Sequence, residues 1–183
     1  MSAAAGIEAQ HRIIDLVIEA PAWEEALPDL PAIAETAALA ALTAAGHAAT
    51  GREIALLACD DARIASLNAD FRGKPAPTNV LSWPAHPLAP PAPGAHPPAL
   101  TAPGPLGDVA IALETCLAEA KAAGLPLKDH VLHLILHGCL HLLGYDHQTE
   151  ADAALMEDME RRQLARLGIA DPYAGGEAGE PRR

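Results

Sequence analysis

The chain has 183 residues, half of them apolar but only 3% aromatic, and its 24 acidic side chains outnumber 12 basic ones for a formal charge of −12. That length suits one domain over 1–183 and argues against two, with a core built from Ala, Leu, Ile and Val. An acidic surface gives no general capture of polyanions, so a nucleic-acid substrate would have to be met by a few locally placed cations.

The opening MSAAAGIEAQ lacks the basic and apolar blocks of a secretory signal. No stretch supplies the roughly 20 apolar residues of a membrane span, so a soluble, cytoplasmic protein is expected. Residues 12–18 (RIIDLVI) read as a first strand, and after Pro-punctuated sequence an Ala/Leu helix is expected over 31–45, with Gly46 as its stop. Residues 53–59 (EIALLAC) read as a second strand. A helix follows to Phe71, capped by Asp60 or Asp61.

The turn-forming stretch RGKPAPTN leads into a short strand at Val80 to Trp83. Residues 84–105 form a Pro/Ala/Gly/His tract that cannot sustain a helix or sheet ladder, and an exposed, partly extended loop is expected there. Residues 106–112 read as a fourth strand running into a helix that Gly124 closes. Residues 127–143 form the most apolar helix, ending at Gly144, and an amphipathic helix is expected from Glu150 to Leu167. Residues 171–183 read as a flexible tail. The sum is α+β, with about four strands and about five helices. Cys59, Cys116 and Cys139 are too dispersed or too deep in apolar runs for a disulfide framework, and reduced buried thiols are expected.

Five of the nine histidines fall between His130 and His147. At about 100° per residue, His137 and His141 project from one helix face a turn apart and can converge on one ion. On an unbroken helix His147 would lie about 15 Å further along the axis, beyond the ~2 Å reach of a metal–nitrogen bond. The chain must therefore turn between them, and Gly144 can take the left-handed conformation this needs. Three imidazoles around zinc leave a fourth position open, the arrangement of a catalytic site. Nickel, copper or iron would suit the same donors. His133 and His130 are expected beside the site or at the surface, since a fourth imidazole would close it.

The spacing matches the zincin pattern HExxHxxGxxH, in which a glutamate after the first histidine is the general base. Here that position is Gly138, which cannot take a proton. The scaffold is a zincin-like metal helix without the peptidase carboxylate.

The segment His137-Gly-Cys-Leu-His-Leu-Leu-Gly-Tyr-Asp-His147 resembles the HGxLHLxGYDH motif of the YbeY family of rRNA maturation endoribonucleases. The resemblance extends to Leu67-Asn68, Arg72-Gly73-Lys74 and Pro77-Thr-Asn-Val-Leu-Ser82, to Leu106-Gly-Asp-Val109, and to the closing residues 156–173. It implies a metal-dependent hydrolase cutting single-stranded RNA, acting in 16S rRNA 3′-end maturation and in ribosome quality control. Zinc is the implied cofactor, and ribosomal RNA, the small subunit and its assembly factors are the implied partners, with neither DNA nor membrane among them.

Phosphodiester cleavage builds charge that a Lewis acid and a guanidinium can stabilise, and Arg72 is the candidate guanidinium. A surface ion pair is the plainer alternative for Arg72. Lys74 is a candidate backbone-phosphate contact or a solvated lysine, and Ser82 a candidate RNA contact or a structural strand serine. Asp146 either orients an imidazole or caps the turn. Two departures stand out: Trp83 where the family has Phe, and a longer Pro-rich tract. A ribosome assembly factor with a structural metal and a zinc peptidase are the rival readings.

Overall fold

A computed structural model describes residues 12–174 of the chain. The elements run β1 (Ile14–Ile18), α1 (Ala22–Ala26), α2 (Leu30–Ala44), β2 (Arg52–Cys59), α3 (Asp61–Arg72), β3 (Val80–Pro84), β4 (Gly104–Ala112), α4 (Leu113–Ala123), α5 (Leu127–Leu142) and α6 (Glu150–Arg166). The α+β class and four strands are as expected, with one helix more among the described residues. That extra helix, α1, follows Pro21 and is five residues long, too short for a 3.6-residue period to declare itself. Its single buried residue, Trp23, donates its indole N–H to the Cys59 carbonyl at 2.9 Å.

The sheet order is β1-β2-β4-β3, with β1, β2 and β4 parallel and β3 antiparallel along the β4 edge. Period-two alternation divides β2 between the two faces. Ile54, Leu56 and Ala58 join Val109 and Ile111 in the larger core, beneath α2 and α5. Cys59, Leu81, Ala110 and Ala112 pack with Ile64 and Leu67 of α3 on the opposite face. The buried face of α2 is mostly alanine (Ala34, Ala37, Ala38, Ala41), which lets α5 approach closely. As a result α5 lies against the sheet, α2, α4 and α6, and its polar residues are held by a helix with little freedom to move.

The tract expected at 84–105 surrenders Pro84 to β3 and its last two residues to β4, and between them residues 85–103 form neither helix nor strand. Asp60 caps α3, its Oδ1 accepting from the Arg63 amide at 2.7 Å. The first residues of the expected tail make contacts with α6. Asp171 pairs with Arg161, and Tyr173 lies under the Arg161 guanidinium with its hydroxyl donating to Glu160. The remainder of that tail, 175–183, and the opening segment 1–11 lie outside the described residues. No helix among the described residues is long and apolar enough to cross a membrane. All three cysteines are free and buried, and burial pushes the Cys59 and Cys139 thiols up to about 12.

Candidate metal centre

The C-terminal end of α5 explains how two helical histidines meet a third that follows the helix. The Gly144 amide donates to the His141 carbonyl and the Tyr145 amide to the Leu140 carbonyl, the paired bonds of a Schellman turn, with Gly144 at φ 89°. The chain reverses there and brings His147 back toward the helix. His137, His141 and His147 each present a ring nitrogen, and all three nitrogens lie within 4.8 Å of one another. The His137 and His147 rings stack at 5.5 Å between centroids, and the His141 ring stands edge-on to both. His137 and His141 are half-buried and His147 is exposed, so the cluster has one side open to solvent.

The hydrogen bonds fix which nitrogens point inward. His141 Nδ1 lies 2.9 Å from the Tyr145 carbonyl, which can only accept, so the proton is on Nδ1 and the lone pair on Nε2. His137 Nδ1 lies 2.8 Å from Glu160 Oε1 and takes the same tautomer against an ionised carboxylate. The two Nε2 atoms then face each other at 3.0 Å as paired lone-pair donors, an arrangement that a cation between them relieves. Burial, and then the neighbouring His137 and His147, lower His141 to about 4 against the opposing pull of Asp146 and the Tyr145 carbonyl. Its ring is therefore neutral, as a metal ligand must be, throughout the ordinary pH range. The donor set fits a divalent metal ion.

Glu160 is the functional residue that sequence reasoning missed. It comes from α6, its side chain is fully buried, and it accepts from His133 Nε2 and His137 Nδ1, both at 2.8 Å. Burial alone would raise its carboxyl, yet the bonds from the two histidines hold it well below the carboxylate range. His133 is thereby a partner of Glu160, and His130 pairs with Glu119 at 2.9 Å.

The other expected residues are dispersed. Asp146 takes the turn-capping role, with Oδ1 accepting from the His147 amide and Oδ2 from Gln148 Nε2. Ser82 faces α5 from β3, its Oγ 3.0 Å from where a Cβ on Gly138 would stand; Val109 Cγ1 and Val80 Cγ2 lie 3.1 and 3.3 Å from the same point. Position 138 thus faces the sheet and has no room for the glutamate of a peptidase. Arg72 ends α3, and Lys74 follows in a loop that Asn68 fastens by donating Nδ2 to the Ala76 carbonyl at 2.9 Å. Both cations are exposed, and no hydrogen bond or ion pair among the described residues ties either to the histidines. Phe71 beside them stacks edge-on against Trp83 at 5.0 Å, which anchors this end of α3 to the β3 edge.

The model of the family described as endoribonuclease YbeY matches residues 24–168. A protein named endoribonuclease YbeY from Jannaschia sp. (strain CCS1) is 54% identical over 160 residues, covering 87% of this chain and 99% of its own. Its namesakes from Ruegeria pomeroyi and Paracoccus denitrificans are 55% and 54% identical, each covering 87% of this chain, and 97% and 89% of their own lengths. A solution structure of TM1509 from Thermotoga maritima spans 92% of the chain at 18% identity and a TM-score of 0.48. The chain belongs to the endoribonuclease YbeY family.

Proposed function

We propose that this member of an endoribonuclease family is a zinc-dependent, single-strand-specific endoribonuclease of the cytoplasm. It acts in 16S rRNA 3′-end maturation and ribosome quality control, with the small ribosomal subunit and its assembly factors as partners. The observation that carries the reading is the convergence of three imidazoles whose inward nitrogens bear lone pairs beside an open face. His137, His141 and His147 hold the ion. Bound there, zinc would supply Lewis-acid chemistry to a phosphodiester.

The chain's own groups do the remainder. Glu160 and the Tyr145 carbonyl fix the tautomer and orientation of His137 and His141. The Arg72 guanidinium pairs in a planar fork with the phosphoryl oxygens as charge builds on them, and Lys74 holds a neighbouring phosphate. Ser82 borders the floor on which the RNA lies, and Asp146 keeps the His147 turn in shape.

The formal charge of −12 favours a second reading, an assembly factor whose metal is structural. The test is cleavage of a single-stranded rRNA fragment beside the same sequence in a duplex. Zinc-loaded protein should cut only the single strand and His141→Ala should abolish the cut; undiminished cleavage by His141→Ala defeats the enzyme reading. Equal rescue of rRNA processing by wild type and by an Arg72→Ala variant that keeps its metal would support the second.

A further inference from the structure

Residues 86–96, within the Pro-rich tract, lie on the segment that delivers the third histidine. A Cβ on Gly144 would stand 2.6 Å from Leu88 Cβ and 3.0 Å from the Leu88 carbonyl oxygen, so the tract rests directly on the glycine of the turn. His96 Nδ1 lies 2.9 Å from the Tyr145 hydroxyl, and the two rings meet edge to face at 5.8 Å. The Gly94 amide donates to Asp152 Oδ1 at 2.7 Å, in the first turn of α6, where Asp152 also bonds the capping Thr149 hydroxyl at 2.6 Å. Three contacts from one irregular segment therefore fall on 144–152, before and after His147.

Tyr145 joins this segment to the site. Its ring is buried, its hydroxyl is held by His96, and its carbonyl accepts from His141 Nδ1. Displacing the ring would shift the carbonyl that orients one ligand and the two-residue link to another. Backbone–backbone hydrogen bonding ends with the Tyr145 amide and resumes at α6, so residues 146–148 have little backbone support of their own. A segment rich in proline is suited to bracing such a turn, because it has less conformational entropy to lose on being pinned.

We propose that residues 86–96 are a strap that holds the His147 turn in its ligating geometry, with His96 a positioning residue acting through Tyr145. The proposal rests on the metal reading of the three histidines, and it gives this tract a structural task at the site. His96 is exposed, so replacing it opens no core.

The experiment compares wild type with His96→Ala, His96→Gln, Tyr145→Phe and the His96→Ala/Tyr145→Phe double variant. Zinc release to excess chromophoric chelator is followed first. Release should be roughly 3- to 10-fold faster in His96→Ala, below the 10- to 100-fold typical of residues bonded directly to a ligand. His96→Gln, whose amide can still pair with the phenol, should restore most of the wild-type rate. The double variant should release no faster than either single one, because both remove the same bond. In metal-free protein, amide exchange at 144–147 should rise in His96→Ala while exchange in the β2 and β4 ladder stays unchanged. A wild-type release rate in folded His96→Ala, or additive effects in the double variant, would overturn the strap. Failure of wild type to bind zinc would sink the metal reading instead, leaving unchanged exchange at 144–147 as the result that defeats the strap.

Discussion

Glu160 is fully buried and ionised, and the two imidazole N–H groups and the Tyr173 hydroxyl that it accepts from make that tolerable. Replacing it with glutamine preserves the volume but turns one of the two acceptor oxygens that meet His133, His137 and Tyr173 into a donor. Either His133 or His137 is left unpaired, or His137 moves its proton to Nε2 and loses the lone pair that ligates. Glu160→Gln should therefore weaken zinc binding by roughly 10- to 100-fold in a competition titration, with metal-free secondary structure retained; an unaltered affinity would remove Glu160 from the site. The same group and His141 set the acid response. His141 titrates near 4 when folded but near 6.5 in an unfolded chain, so on acidification the unfolded state takes up its proton first. Stability of the metal-free protein should fall as the pH drops from about 6.5 toward 4, and the depressed Glu160 extends the loss below its ordinary value. Urea midpoints at pH 7.5, 6 and 5 should decline in that order. They should decline less steeply in His141→Gln; parallel curves would show that His141 contributes nothing.

At the scale of elements, α5 packs closely on β3 at Gly138. A Cβ on Gly138 would stand 3.0, 3.1 and 3.3 Å from Ser82, Val109 and Val80, close enough that those side chains must give way to admit it. An alanine in a helix normally gains about 1 kcal/mol over glycine, but overpacking costs about 1–3 kcal/mol. Gly138→Ala should come out destabilised by about 1 kcal/mol, a fall of roughly 2–4 °C in melting temperature for a chain of this size. Ser82→Gly should recover part of it, and a melting temperature above wild type would show the contact to be loose. Sequence alone identified Gly138 as the missing base but not as the site of a helix–strand contact, because that depends on which strand α5 meets. The same division holds elsewhere. Helices and strands with a clear period, and the device of His137, His141, Gly144 and His147, were legible because local geometry determines them. The five-residue α1 has no period to read. Glu160 lies 23 residues beyond His137 on a helix whose polar face looks ordinary in sequence. The proline tract has no periodicity, and its bonds to Tyr145 and Asp152 are made across the fold.

For the whole molecule, an acidic protein must handle a polyanion with few cations, and four of the twelve are otherwise engaged. Arg52 is buried, Arg63 pairs with Glu19, Arg161 with Glu157 and Asp171, and Arg162 with Asp158. Arg72 and Lys74, two positions apart and exposed, form no such pairs among the described residues, and they stand where α3 meets the β3 edge. If these two carry the electrostatic part of RNA binding, its salt dependence must be shallow. Each phosphate neutralised on a single strand contributes about −0.7 to the slope of log K against log salt, so two contacts give about −1.4. Binding of uncleaved single-stranded RNA by a His141→Ala variant, followed by fluorescence anisotropy across a salt series, should return a slope near that value. Adding Arg72→Ala should flatten it by about 0.7 and weaken binding alike for every RNA sequence, as a phosphate contact does. A slope of about −4 or steeper would require several further phosphate contacts. RNA capture would then have to be assigned to cations other than the Arg72–Lys74 pair.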